Sequence, residues 1–585
     1  MISQKQENLL QLALSSTKKE REKSQILNVG ITEEEELWEI IVKYHGNLKF
    51  LGTEDIRVEE LLSGYAIVTL PKERIAELAA LEEIEYLELP KSLIYGVYEA
   101  KQSSCITEVE ASPLSLTGEG VLLAVIDSGI DYFLEDFRNQ TGSRILALWD
   151  QSEKANKEEK RYPPEGFLIG VEYTTVQINQ ALTASTREEA LRIVPEIDER
   201  GHGTAVTAVA ASSNSNIMIR GVAPKAELLI VKMKASKNSD YPATTELMRS
   251  ITYAVRKAEK VKKPLVINLS FGNTYGPRDG SSLVEQFLNQ AAGMGRTTIC
   301  IGCGNEGAAG GHFLGNIREV STVEMAIAQR ESTTNVQLWK FYEDRFQIQL
   351  EAPDGIRFQV IISENPSRQT FLWNDTKVLV YAGVPSPYSS KQEIFFVFLS
   401  QENYLDSGIW KFHFQEEDLV VGEIQMYLPS EKQRNAGTRF LRQSPELTIT
   451  NPATGYGAIS VAAYNTVTDS YADFSGRGEL FERRNNLWEE RNKPDLAAPG
   501  VGIMAASVGG GIERYSGTSF AAPMVSGSAA LLMEWGIIRG NDPYLYGEKM
   551  KAYLRSGAKK IRGEDVYPNN KVGWGALCVE RSIPT

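Results

Sequence analysis

The chain has 585 residues, of which 42% are hydrophobic and 24% charged. That length exceeds what one hydrophobic core organises, so two to four domains are expected. The net charge is −14 and the pI about 5.2, which argues against nucleic acid or anionic membrane surfaces as partners, because both repel an acidic chain.

Residues 1–25 read as a charged amphipathic helix. They lack an apolar h-region and a small-residue cleavage site, so no signal peptide is expected and synthesis in the cytoplasm is. No run of about 18 apolar residues is evident, so no membrane insertion is expected. Residues 26–96 alternate strand and helix patterns. "GITEEEELWEIIVKYHG" reads as a helix after a strand, "YAIVTLP" as a strand, "PKERIAELAALEEI" as a helix and "EYLELPK" as a strand. This predicts a compact βαββαβ-type unit, with 1–97 as the first domain. Residues 98–120, which include "YEAKQSSCITEVEASP", are polar, without periodicity, and read as a linker.

From Val121 the signals change. "VLLAVIDSG", "AELLIVKM", "PLVINLSFG" and "TTICIGCGNEG" are apolar strands, with helix patterns such as "TTELMRSITYAVRKAEK" between them. The alternation predicts an α/β fold with a parallel sheet covered by helices on both faces. Polar residues at the carboxyl ends of such strands are site candidates. Residues 318–447 break the pattern with short strands rich in aromatic and β-branched residues. They predict an all-β, jelly-roll-like sandwich inserted between the two α/β parts 121–317 and 448–585.

Cysteine is sparse. Cys105, Cys300, Cys303 and Cys578 suggest no disulfide framework. Cys300 and Cys303 form a C-x-x-C that suits a redox or metal pair, but they lie in an apolar strand and read as small buried residues.

Four motifs fall at strand ends or helix starts: Asp127 in "AVIDSGID", His202 in "ERGHGTAVTAVAA", Asn305 in "GCGNEG" and Ser519 in "SGTSFAAP". Singly, each has a structural explanation. Asp127 suits a cap or turn, His202 a packed core, Asn305 a turn between glycines, and Ser519 an N-cap. Together they supply a hydroxyl nucleophile, a base, a carboxylate to orient the base, and an amide to donate to an oxyanion.

These motifs resemble those of the subtilisin-like serine proteases, and "GVAPKAEL" and "KPDLAAPGV" match further stretches of that family. The resemblance implies Ser519 as nucleophile, His202 as general base and acid, and Asp127 as the orienting carboxylate. It implies an oxyanion hole from Asn305 and the Ser519 N–H. Leu269, Ser270, Phe271 and Gly272 would pair with the substrate backbone, and Gly302, Cys303 and Gly304 would wall the pocket for the residue before the cut. The position of a frequent second histidine is Ala205, and Met524 follows Pro523 where histidine is common. No cofactor is required by this chemistry. Calcium is the metal the resemblance raises, at Asp136, nine residues after Asp127, although Ser215 stands where an asparagine ligand is expected.

The N-terminal domain resembles the family's ferredoxin-like propeptide, which implies self-cleavage in the linker, in Tyr98–Ser104 near Gln102–Ser104, and a propeptide bound in the active site. The absence of a signal peptide, the propeptide and the inserted sandwich together resemble the clostridial Csp-type spore-germination proteases. That implies a protein or peptide substrate, a cortex-hydrolase proenzyme, and packaging in the spore. A non-enzymatic regulator plugged by its propeptide and a general degradative subtilisin are the competing readings.

Overall fold

The computed structural model describes residues 5–18, 21, 31, 37–53, 55–61, 64–90, 96–235, 241–362, 366–479 and 493–584. The chain divides into two compact units, 1–95 and 96–585.

In the first unit four antiparallel strands stand in the order Arg57–Glu60, Tyr65–Pro71, Leu37–Tyr44, Ile84–Glu88. That is the order of a split βαβ unit. Helix Ile75–Ala80 buries Ile75 and Leu78 on the core of Trp38, Ile40, Val42, Val68 and Leu87. Leu37–Tyr44 is a strand where a helix was expected. Trp38, Ile40, Val42 and Tyr44 are buried at every second position, and this period of two outweighs the helix-forming glutamates before it. Of the expected N-terminal helix, Asn8–Ser15 is formed, with Leu10 and Ala13 joining the same core.

The second unit is built on a nine-stranded sheet. Strands Leu122–Asp127, Glu227–Lys232, Ile145–Asp150, Leu265–Leu269, Thr297–Gly302, Ile459–Asn465 and Leu496–Pro499 pair in parallel. Side chains alternate across it. Leu123 and Val125 meet helices His202–Ala211 and Thr518–Met533, while Leu122, Ala124 and Ile126 meet Thr244–Val261 and Leu283–Ala292. Burial on both faces explains the continuous apolar runs. The helical stretch Thr518–Ile538 is long and apolar enough to cross a membrane by length and composition, but 89% of an apolar 18-residue window within it is buried in this fold. It is the central core helix.

The insertion is a sandwich of a six-stranded and a five-stranded antiparallel sheet. It begins at His312–Asn316, six residues before the expected boundary, because that strand pairs with Glu423–Tyr427. Its core includes Phe346, Phe396, Phe398, Trp410 and Phe412.

Two expectations are corrected. Residues 98–120 are not a featureless linker: helices Gly96–Ser103 and Ile106–Glu110 occupy this stretch. Ala100, Lys101 and Ser104 are buried, and Lys101 Nζ pairs with Glu110 Oε1 at 2.5 Å. A helix anchored this way does not present Gln102–Ser104 as an extended strand for cleavage. The second correction concerns cysteine. Cys105 and Cys578 form a disulfide across 473 residues of sequence, beside backbone hydrogen bonds from Val579 N to the Ser104 carbonyl and from Glu580 N to the Cys105 carbonyl. Cys300 and Cys303 are free and buried. Burial pushes the Cys300 thiol up to about 12 and the Cys303 thiol higher still, so both stay protonated.

Candidate active site

Asp127 ends its strand and His202 opens its helix. Asp127 Oδ1 accepts from the Ser128 N–H at 2.8 Å and meets His202 Nδ1 at 2.7 Å. Partial burial pulls the His202 pKa down, and the Asp127 carboxylate more than offsets this, so the net shift is upward. Asp127 is 6% exposed, and its Oδ2 has no hydrogen-bond partner. An ionised carboxylate in this position favours the Nδ1–H tautomer and leaves Nε2 free as a base.

Sequence reasoning missed the residue that fixes this pair. Asp198 Oδ1 accepts from Ser128 Oγ at 2.8 Å and from the Gly201 N–H at 3.0 Å. Its Oδ2 accepts from the Thr204 N–H and hydroxyl at 2.8 and 2.7 Å. Ser128 Oγ accepts in turn from the Gly203 N–H at 2.9 Å. Asp198 thus ties the helix start to the residue after Asp127. An aspartate four residues before a helix-opening histidine was the available signal.

Ser519 lies in the first turn of its helix. Its Oγ donates to the Ser270 carbonyl at 3.0 Å, and no Ser519–His202 hydrogen bond is formed among the described residues. The His202 ring stands edge-on to Phe520, the residue after Ser519, with centroids 5.6 Å apart. Contacts between a nucleophile and its base commonly form or tighten only with substrate present.

Asn305 Oδ1 accepts from the Thr518 N–H at 3.0 Å and from the Thr518 hydroxyl at 3.2 Å. This fixes the amide orientation and turns Nδ2 toward Gly517, where a Cβ would lie 3.2 Å from it. Gly517 has φ +146, a conformation that favours glycine.

The expected binding segments divide into backbone and side-chain contributors. Leu269 and Cys303 are fully buried in the core, so neither side chain faces a substrate. Gly272 is exposed, and Phe271 and Gly304 are half-buried. Between the two walls stands Thr450, unforeseen from sequence. A Cβ on Gly272 would lie 2.3 Å from Thr450 Oγ1, and one on Gly304 2.4 Å from it. Thr450 is pinned by its N–H to the Cys303 carbonyl at 2.9 Å. It fills the space between the walls.

The sandwich braces both walls. Gln337 Nε2 donates to the Thr274 carbonyl at 3.1 Å and its Oε1 accepts from the Gly276 N–H at 2.9 Å. On the other wall Arg434 Nη2 donates to the Ala309 carbonyl at 2.6 Å.

The residues around Asp136 do not fit calcium. Its Oδ1 accepts from Ser212 Oγ at 2.5 Å. Its main-chain carbonyl accepts from Arg144 Nη2 at 2.8 Å and from the Ser213 N–H at 2.8 Å. Arg144 is 5% exposed. Burial lowers its pKa to about 10, partly offset by Asp136, so it stays cationic. A fixed guanidinium already supplies the positive charge there, and a divalent ion beside it would be repelled.

The subtilase family profile matches residues 118–337 and 435–575, and the profile of the Csp protease B prodomain matches 4–91. The PII-type proteinase of Lactococcus lactis subsp. cremoris is 24% identical over 563 residues, 87% of this chain. This chain spans only 27% of that relative's length. Serine protease AprX of Bacillus subtilis is 31% identical over 157 residues, 23% of this chain and 32% of its own. Among solved structures, the Clostridium perfringens CspB protease is 33% identical with a TM-score of 0.75, over 83% of this chain and 96% of that one. The chain belongs to the subtilase family of subtilisin-like serine proteases. Its prodomain and its whole-chain likeness to the CspB protease place it with the Csp type.

Proposed function

We propose that this chain is an active serine endopeptidase that processes its own prodomain and then cleaves another protein. The observation that carries the reading is the 2.7 Å Asp127–His202 contact at the mouth of the Ser519 helix. His202 Nε2 takes the proton as Ser519 Oγ attacks the scissile carbonyl. The oxyanion receives hydrogen bonds from Asn305 Nδ2 and the Ser519 N–H. The imidazolium, held by Asp127, returns the proton to the leaving amine, and the C–N bond breaks. Water then repeats the sequence on the acyl-enzyme and releases Ser519.

Helix Gly96–Ser103, anchored by the buried Ala100 and Lys101, and the division of the chain at 95/96 favour processing on the N-terminal side of Gly96. The freed prodomain's carboxyl end is then the first product to occupy the cleft. Intact mass of wild type beside Ser519→Ala tests both points. The wild type is expected as two fragments, the larger beginning near residue 96, and the variant as one. Two whole proteins, with no adduct from a small fluorophosphonate, would instead favour a non-enzymatic regulator.

The Csp-type likeness supports a finer reading: a spore protein whose target is the proenzyme of a cortex-degrading hydrolase. Single-site cleavage of such a proenzyme with folded and unfolded casein left intact is the expected result. Broad casein degradation would favour a general degradative role.

A further inference from the structure

The turn after Asp127 is held by a second buried carboxylate besides Asp198. Gly129, two residues after Asp127, has φ +123, and its backbone is packed from two sides. A Cβ on Gly129 would lie 2.0 Å from Glu196 Oε1. A Cβ on Gly203, the residue after His202, would lie 2.3 Å from the Gly129 carbonyl oxygen and 3.2 Å from Asp127 Cβ. Neither position has room for a side chain. Glu196, the Gly129 backbone and the start of the His202 helix are therefore close-packed in that order.

Glu196 is 2% exposed. Its Oε1 accepts from the Ile130 N–H at 3.1 Å. Lys232 Nζ stands 3.4 Å from Oε2 and donates to the Ile197 carbonyl at 2.6 Å. Lys232 is also the register partner of Asp127 on the neighbouring parallel strand. Burial pushes the Glu196 carboxyl well above the usual carboxylate range, and Lys232 pulls against this. Oε1 accepts from Ile130 in either charge state.

Other bonds fix the rest of this turn to the segment before His202. Ser128 Oγ donates to Asp198 Oδ1 at 2.8 Å, the Asp131 N–H to Thr204 Oγ1 at 2.9 Å, and the Tyr132 hydroxyl to the Val194 carbonyl at 2.9 Å. Glu196 supplies the contact at Gly129 and Ile130. Asp198 holds the helix start, and with it His202, from its own side. A shift of Gly129 would move Asp127 against a histidine that stays in place, and the 2.7 Å Asp127–His202 contact is what such a shift would lengthen.

We propose that Glu196 is a positioning residue for the catalytic pair: packed on Gly129 and bonded to Ile130, it sets the place of Asp127 opposite His202 Nδ1. This rests on the protease reading. The role depends on the reach of the side chain. An amide of the same length still fills the space beside Gly129 and still accepts from Ile130. A carboxylate one methylene shorter keeps the charge but withdraws from both.

The test compares Glu196→Gln and Glu196→Asp with wild type as full-length, self-processed protein on a chromogenic peptide. Turnover is counted per site titrated with a fluorophosphonate, so unfolded protein does not enter. Glu196→Gln is expected within about three-fold of wild type in kcat. Glu196→Asp is expected to lose at least about ten-fold in kcat with KM within a few-fold. Both changes are repeated in Asp127→Asn, where Glu196→Asp is expected to cost less than about three-fold more, because the group it positions is gone. A Glu196→Asp variant as fast as wild type, a Glu196→Gln variant that loses ten-fold, or a full Glu196→Asp loss persisting in Asp127→Asn overturns the Glu196 assignment alone. A wild type that neither labels nor cuts any peptide overturns the protease reading and Glu196 with it.

Discussion

Ser519 and Ser270 exchange two hydrogen bonds. Ser519 Oγ donates to the Ser270 carbonyl at 3.0 Å, and Ser270 Oγ donates to the Ser519 carbonyl at 2.8 Å. The second bond exists because Pro523, four residues into the helix from Ser519, has no N–H to offer that carbonyl. Ser270 is oriented in turn by Asn268 Nδ2 at 2.9 Å, and Asn268 Oδ1 accepts from Ser526 Oγ at 2.8 Å. One polar chain thus crosses the apolar interior and ties the end of strand Leu265–Leu269 to the Ser519 helix.

Asn305→Ala removes the side-chain donor to the oxyanion. The turnover number is expected to fall by about 10²–10³ while KM stays within a few-fold. A pre-steady-state assay on a chromogenic peptide measures it, and an unchanged kcat assigns the oxyanion elsewhere.

The pH profile follows from His202. Only the neutral ring accepts the Ser519 proton, so kcat/KM falls as pH drops through its pKa. Burial lowers that pKa and Asp127 raises it by more, so the acid limb is expected above the ordinary value of 6.5. In Asp127→Asn the raising charge is gone while burial stays, so the limb moves to lower pH. Activity is expected to fall by about 10⁴ because the tautomer is no longer enforced. A limb that stays in place in this variant removes Asp127 from the mechanism.

Thr450→Ala deletes the hydroxyl and methyl that fill the space between Gly272 and Gly304. Peptides with a large aromatic residue before the cut are expected to gain at least about ten-fold in kcat/KM relative to those with alanine. An unaltered preference would show that the pocket is bounded by other residues.

The Cys105–Cys578 bond joins the start of the second unit to the chain's last helix, Val579–Ser582. Cys105→Ser is expected to cost about 2–4 kcal/mol of stability, and a reductant should lower the wild-type melting temperature without affecting the variant. Equal melting of wild type with and without reductant contradicts the bond.

Arg144 makes a prediction about metal. Chelation by EDTA is expected to leave the melting temperature unchanged within about 1 °C. Arg144→Met removes the donor that reaches the carbonyls of Asp136, Ala211 and Ala226, of which Asp136 keeps the Ser213 N–H, at about 3 kcal/mol. A large EDTA effect on wild type would place a structural ion in the protein after all.

The sequence by itself carried whatever depends on local periodicity and chain order. Strands such as Leu122–Asp127 and Leu265–Leu269 show as continuous apolar runs because both sheet faces are covered. The sandwich shows through aromatic and β-branched alternation. Asp127, His202, Asn305 and Ser519 stand out because each polar residue interrupts an apolar element at its end. What only the tertiary structure decided are pairings between segments far apart in the chain. Cys105 meets Cys578 across 473 residues. Arg144, just before strand Ile145–Asp150, reaches Asp136 and Ala211. Thr450 comes between Gly272 and Gly304 only after the chain has returned from the insertion. Asn268 was visible as a polar residue in an apolar strand, but its partners Ser270 and Ser526 depend on the helix packing across it. Spacing along a chain encodes which side of an element is buried. Which distant element covers that side is set by sheet order and packing, and these have no local signature.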